Sequence, residues 1–281
     1  MSPIGPSRVT AFATALLLAA GPAAAQMSVT ADAGFASAYV WRGVSLTNRF
    51  VAQPDLYLTL PTSGGNVVLG GWSNVDLGRY DGAEELSEGG GISSPDVTEI
   101  DLWAEYGHAL RPGLTGTAGV LTYLFPNTAG LTNAVNRTVE VYGKLQATAL
   151  PLAPKLAAWY DVDKVKGAYL EASITQPVRA VRGFPITFGA LAAFCAGQDV
   201  NRSDPTQVAN FAQNGLTHVD LSATGALTAG PVTIAPTVHL YLLNDDFTRV
   251  TEPGTTRDLK AWAGLAFTWT RPLTPVPTVS Q

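Results

Sequence analysis

The chain has almost no cysteine. Cys195 stands alone among 281 residues. No intramolecular disulfide can form, and the strand pattern around Cys195 makes it a small packed residue. Charge is scarce as well: only 14% of residues are charged, few for a secreted soluble protein. There is no Lys/Arg cluster, and the formal net charge is −5, which argues against a nucleic-acid partner. Beyond the N-terminal segment, no stretch reaches about 18 consecutive apolar residues, so no inner-membrane helix is expected. The chain lacks a GxGxxG or P-loop signature and any His/Cys/Asp cluster with metal-ligand spacing. Neither a cofactor nor a metal is expected.

Histidine is also sparse, at three residues. His218 and His239 fall in neighbouring strand segments on the same predicted face. With Asp220 placed opposite His239, and Ser222 beside it, they would supply the ingredients of an acyl-transfer triad. No nucleophile-elbow motif accompanies them, so no catalytic residue is assigned.

What is present begins with an export signal. Arg8 gives a small positive region, Val9 to Ala20 an apolar core, and Gly21 to Ala25 a small-residue cleavage segment. Residues 1–25 are expected to be removed before Gln26. Residues 26–270 then read as one barrel domain, followed by a Pro-rich tail over 271–281.

The domain divides into about twelve segments of roughly ten to fourteen residues, most with strict period-two alternation. Short Pro/Gly turns (Pro61 to Gly65, Arg111-Pro112-Gly113, Pro151 to Pro154, Ala229-Gly230-Pro231) alternate with longer polar loops. The link between the seventh and eighth segments is the exception, being short where a long loop is due. The layout predicts an all-β fold: a transmembrane, antiparallel, up-and-down β-barrel with both termini on the short-turn side. The first segment reads as one strand from Ser28 to Arg42.

Parity sorts the side chains. Inward positions carry the charge: Asp55, Asp76, Glu99, Asp101, Glu105, Glu140, Glu171 and Asp220 against Arg42, Lys144 and Lys260. Carboxylates repeated on one strand face exclude lipid there, so this set predicts a water-filled lumen leaning towards cations. Arg42, Trp72, Asn74, Asp76, Glu99, Asp101, Glu105, Glu140, Lys144, Glu171, Asp220 and His239 are the expected pore-lining residues. An Arg42–Asp76 bridge at the rim would act as a constriction or a structural tie. Tyr39, Trp41, Tyr106, Phe267 and Trp269 fall on the outward parity near strand ends, as interfacial girdle residues do.

Two motifs in the first third carry a family resemblance. They are Tyr39-Val-Trp41-Arg42-Gly43-Val-Ser45 and Gly71-Trp72-Ser73-Asn74-Val75-Asp76, with Glu99-Ile-Asp101-Leu following the long loop. In order and separation they resemble the TorF-type porin family of bacterial outer-membrane barrels. Gln53-Pro54-Asp55 replaces that family's usual Gln-Gly-Gly-like run. The aromatic Gly264-x-x-Phe267-x-Trp269 resembles the terminal signal read by the barrel-insertion machinery. The resemblance implies an outer-membrane location, lipid contact, passage of small solutes or ions, and the possibility of a homo-oligomer. It supplies no substrate. The alternatives are an outer-membrane lipid hydrolase and a non-conducting anchoring barrel.

Overall fold

The computed structural model describes residues 26–47, 49–78, 95–126, 136–179, 184–199, 208–243 and 261–273. Expectations about residues 1–25, 79–94, 127–135, 200–207, 244–260 (Lys260 among them) and the tail from residue 274 lie outside the described residues.

The strands are β1 (Ser28–Ala36), β2 (Tyr39–Trp41), β3 (Val44–Thr47), β4 (Val51–Pro61), β5 (Asn66–Asp76), β6 (Asp96–Arg111) and β7 (Leu114–Leu124). They continue as β8 (Arg137–Ala147), β9 (Lys155–Asp161), β10 (Ala168–Arg179), β11 (Pro185–Ala196) and β12 (Gly215–Gly225). The last three are β13 (Leu227–Ala229), β14 (Val232–Leu243) and β15 (Ala261–Pro272). Twelve of them, β1, β4 to β12, β14 and β15, pair in sequence order, each antiparallel to the next. The β12–β14 pairing and the β1–β15 seam, with Ser28 opposite Pro272, close the ring. Closure leaves the twelve-stranded ring without an open edge. Strand β13 only lengthens the β12–β14 hairpin at its tip.

Alternation explains why these segments are strands and which way they face. On β4, Leu56 is exposed outside while Gln53 and Asp55 are buried inside. On β10, Leu170 and Ile174 are exposed while Tyr169 and Glu171 are buried. The exterior is a continuous apolar surface that includes Leu102, Val141, Leu145, Leu156, Phe188, Leu221 and Leu240. The described residues thus have no core between two layers; their buried apolar cluster lies inside the barrel.

All the short connections (62–65, 112–113, 148–154, 180–184 and the β12–β14 turn) lie at one end. The other end carries connections 37–50, 77–95, 125–136, 162–167, 197–214 and 244–260. These define a turn side and a loop side. The short 162–167 link is held by Asp161: its Oδ1 accepts the amides of Asp163 (3.0 Å), Val165 (2.8 Å) and Lys166 (3.2 Å). Its Oδ2 accepts the Thr138 hydroxyl at 2.5 Å. A carboxylate that satisfies three amides lets a six-residue connection replace a long loop.

Two expectations about boundaries change. The first segment is not one strand: β1 ends at Ala36, and Ser37 ties the break to β15 by donating its amide to the Ala263 carbonyl (2.9 Å). The last strand runs to Pro272, so Arg271 and Pro272 belong to the barrel rather than the tail. Strand β10 continues through Pro177 to Arg179.

Candidate functional site: the barrel interior

The chain leaving β1 turns into the barrel instead of spreading over its rim. Strands β2 and β3 form a hairpin around Trp41-Arg42-Gly43-Val44. Arg42 (φ 47°) and Gly43 (φ 84°) both have positive φ, the pattern of a two-residue type I′ turn. Every residue of β2 is buried, and Arg42, Val44, Ser45 and Thr47 are buried too. Such a hairpin has no solvent face, so its sequence cannot alternate.

The hairpin spans the lumen. It is rooted between β1 and β4, and its tip reaches β8, β9 and β10; β9 lies six strands from β1 in either direction round the ring. The Arg42 guanidinium donates from Nη1 to Glu140 Oε1 (2.9 Å) and from Nη2 to Glu140 Oε2 (2.8 Å). This two-point fork is the strongest common form of Arg–carboxylate pair. The Arg42 Cζ lies 4.0 Å from the Tyr169 ring centre, 4.9 Å from Trp41 and 5.6 Å from Trp159. Tyr123 donates its hydroxyl to Glu140 Oε2 at 2.7 Å. Burial works against the Arg42 charge, but Glu140 and the flanking tyrosines outweigh it and hold the guanidinium above its ordinary pKa.

Further contacts seat the hairpin. Tyr39 donates to Glu99 Oε2 (2.8 Å) and packs on Trp72, with ring centres 5.5 Å apart. Thr47 donates to Asp76 (3.1 Å), which also accepts from Asn74 (2.8 Å). Gln53 donates to Asn74 in turn (3.0 Å). A Cβ on Gly43 would stand 2.7 Å from His218 Nδ1, so the turn touches β12 as well. From the 197–214 connection, Phe211 stacks on Trp41 (5.9 Å) and on Tyr169 (6.1 Å).

The turn-side half is different. Tyr57, Thr59, Trp103, Glu105, Lys144, Ser173 and Thr237 face inward but are only partly buried. Glu105 accepts from Lys144 (3.0 Å) and from Tyr142 (2.7 Å). Asp32 and Asp55 face each other across β1 and β4, and Thr268 donates to Asp32.

The strand register puts Ser222, not Asp220, opposite His239. His239 Nδ1 nevertheless reaches Asp220 Oδ2 diagonally at 2.8 Å, and Nε2 lies 3.2 Å from Thr237 Oγ1. The imidazole stacks flat on Trp262, with ring centres 4.1 Å apart. Among the described residues no group of three His, Cys, Asp or Glu could hold a metal ion.

Trp72, Asn74, Asp76, Glu99, Asp101, Glu140, Glu171 and Asp220 are buried on the inner face, and Glu105, Lys144 and His239 are partly buried there. Arg42 is inside, but on the hairpin rather than the wall. Tyr39 and Trp41 correct the girdle assignment: both are buried within the barrel, because the chain turns inward after Ala36 and outward parity no longer applies. Tyr106 and Trp269 are exposed, and Phe267 meets Phe35 edge-on at 6.5 Å on the same exterior. Sequence reasoning missed Trp159, Tyr123, Asp161 and Phe211. The first three were readable from the alternation of β7 and β9; Phe211 lies in a loop with no periodic signal.

A closed twelve-stranded antiparallel barrel, apolar outside and charged inside, has the fold of an outer-membrane porin-type β-barrel. The chain belongs to Gcw_chp, a family of bacterial proteins of unknown function, which it matches over residues 19–184. Among curated proteins nothing matches it. Among solved structures it is similar to the KdgM porin in complex with disordered oligogalacturonate, with 8% identity, 86% of this chain and 98% of that one covered, and a TM-score of 0.44. It is similar to the NanC porin, with 9% identity, 88% and 100% covered, and a TM-score of 0.45. An outer-membrane channel from Pseudomonas putida F1 gives 11% identity, 90% and 97% covered, and a TM-score of 0.47.

Proposed function

We propose that the protein is an outer-membrane channel that passes small polar solutes or ions by diffusion, with a slight preference for cations. On this reading it is a TorF-type porin and not an enzyme, exported by its N-terminal signal and placed by the insertion machinery. Tyr106, Phe267 and Trp269 would form its lipid-interface girdle. The observation that carries the reading is the sorting of side chains on a closed ring: exposed leucines and valines outside, carboxylates inside. Lipid covers the first set at no cost, and only water or counter-charges suit the second.

The channel would be lined by Trp72, Asn74, Asp76, Glu99, Asp101, Glu105, Glu140, Lys144, Glu171, Asp220 and His239. The inward carboxylates outnumber the inward basic groups among the described residues, which supports cation preference. Recording from the refolded mature chain in planar bilayers tests this. Discrete conductance with a cation-selective reversal potential in a salt gradient is expected; clear anion selectivity would overturn the preference, and silence the channel.

The hairpin favours a second reading, a barrel that stays shut and serves as an anchor, because Arg42 bridges the lumen to its far wall. The lipid-hydrolase alternative lacks such support. His239 and Asp220 face the lumen, away from the apolar exterior where acyl chains would lie.

A further inference from the structure

We propose that Glu140, Trp159 and Tyr169 form a guanidinium-binding site on the barrel wall, that its resident ligand is the barrel's own Arg42, and that a solute bearing a guanidinium group occupies it when the hairpin tip is absent. The site is a property of the wall: Tyr123, Glu140, Trp159 and Tyr169 come from β7, β8, β9 and β10, and none belongs to the hairpin. Its chemistry is specific. A carboxylate receives both nitrogens of a planar fork at 2.9 and 2.8 Å, and an aromatic face lies 4.0 Å from the central carbon. An ammonium ion cannot make the paired hydrogen bonds, so a lysine-like solute fits less well. The carboxylate is itself fixed by the Tyr123 hydroxyl at 2.7 Å.

The turn points the same way. Its first central residue has φ 47°, where Asn or Gly is at ease and Arg is not. Backbone geometry therefore gives no reason for arginine at position 42; the reason lies at the far end of the side chain. Arg42 acts as a tethered ligand that closes the loop side of the lumen. This closure, unlike the site, rests on the channel reading.

The test uses the full mature chain, refolded in detergent and in planar bilayers. Arg42→Asn and Arg42→Gly both suit the turn, so one guards against misfolding of the other, and a heat-dependent gel shift checks closure of each barrel. Methylguanidinium chloride is titrated against methylammonium chloride at equal ionic strength, following tryptophan fluorescence and the unfolding midpoint. The expected result is a saturable response to millimolar methylguanidinium in both variants, at least five-fold weaker for methylammonium, and lost in Arg42→Asn/Glu140→Gln. In bilayers the variants should conduct several-fold more than the parent, and methylguanidinium should reverse the gain. Equal responses to the two cations would overturn the site, even if the protein conducts. Selective binding with silence in every bilayer would keep the site and discard the channel.

Discussion

The two halves of the lumen use similar side chains to opposite ends. On the loop side, Arg42, Glu140, Tyr123, Tyr169, Trp159 and Phe211 pack into a buried cluster. On the turn side, Glu105, Lys144, Tyr142, Trp103 and Tyr57 are spaced along the wall and mostly only partly buried. An Arg–Glu pair with 0% exposure of either side chain and a Lys–Glu pair with 25% and 22% exposure both draw on β8, through Glu140 and Lys144. The hairpin makes the difference: it brings apolar area into one half and leaves the other to solvent. A charge pair is therefore a packing element in the first half and a lining element in the second.

The sharpest way to break this comparison is to remove one carboxylate from each half. Glu140→Ala leaves Arg42 buried without its fork and is expected to cost about 3–5 kcal/mol. Glu105→Ala should cost less than about 1 kcal/mol, since its partner keeps access to water. Urea unfolding in lipid vesicles measures both, and equal losses would mean that the halves do not differ. Next in size is a contrast between wall faces. Ile174→Arg on the exterior should cost about 2–4 kcal/mol near the bilayer midplane. Ser173→Arg, one residue away on the inner face, should leave stability nearly unchanged and move the reversal potential towards anions. The smallest effect separates two glycines. Gly43→Ala and Gly230→Ala share the strain of positive φ, about 1–2 kcal/mol. Only at position 43 does the new Cβ meet a neighbour, His218 at 2.7 Å; at position 230 nothing lies within 4 Å. Gly43→Ala should therefore also raise conductance, whereas Gly230→Ala should not, and single-channel recording distinguishes them.

Most of the barrel was legible in the sequence, because a wall with lipid on one side and water on the other imposes period two. The faces of β4, β6, β8 and β10 follow directly from Leu56/Asp55, Leu102/Asp101, Val141/Glu140 and Leu170/Glu171. What was not legible lies where that boundary is missing. Val40 and Trp41 are adjacent and both buried, so no count of alternate residues reveals that the chain has entered the lumen. The break at Ser37-Ala38 carries no Gly or Pro. The one local hint was Arg42-Gly43, a turn pair at the end of an apparent strand. The fork partner of Arg42 is Glu140, not the expected Asp76, and was unreadable for another reason: Glu140 lies 98 residues away, on a strand opposite in the ring, and only closure brings them together.

That separation also orders events in time. The clasp between Arg42 and Glu140 cannot fasten until β8 has joined the sheet, although the hairpin that bears Arg42 is among the first segments made. The final seam, β1 with β15, uses the strand from which the hairpin departs. Stoppering the mouth and completing the cylinder thus draw on the same stretch of chain, β1 and the hairpin that follows it.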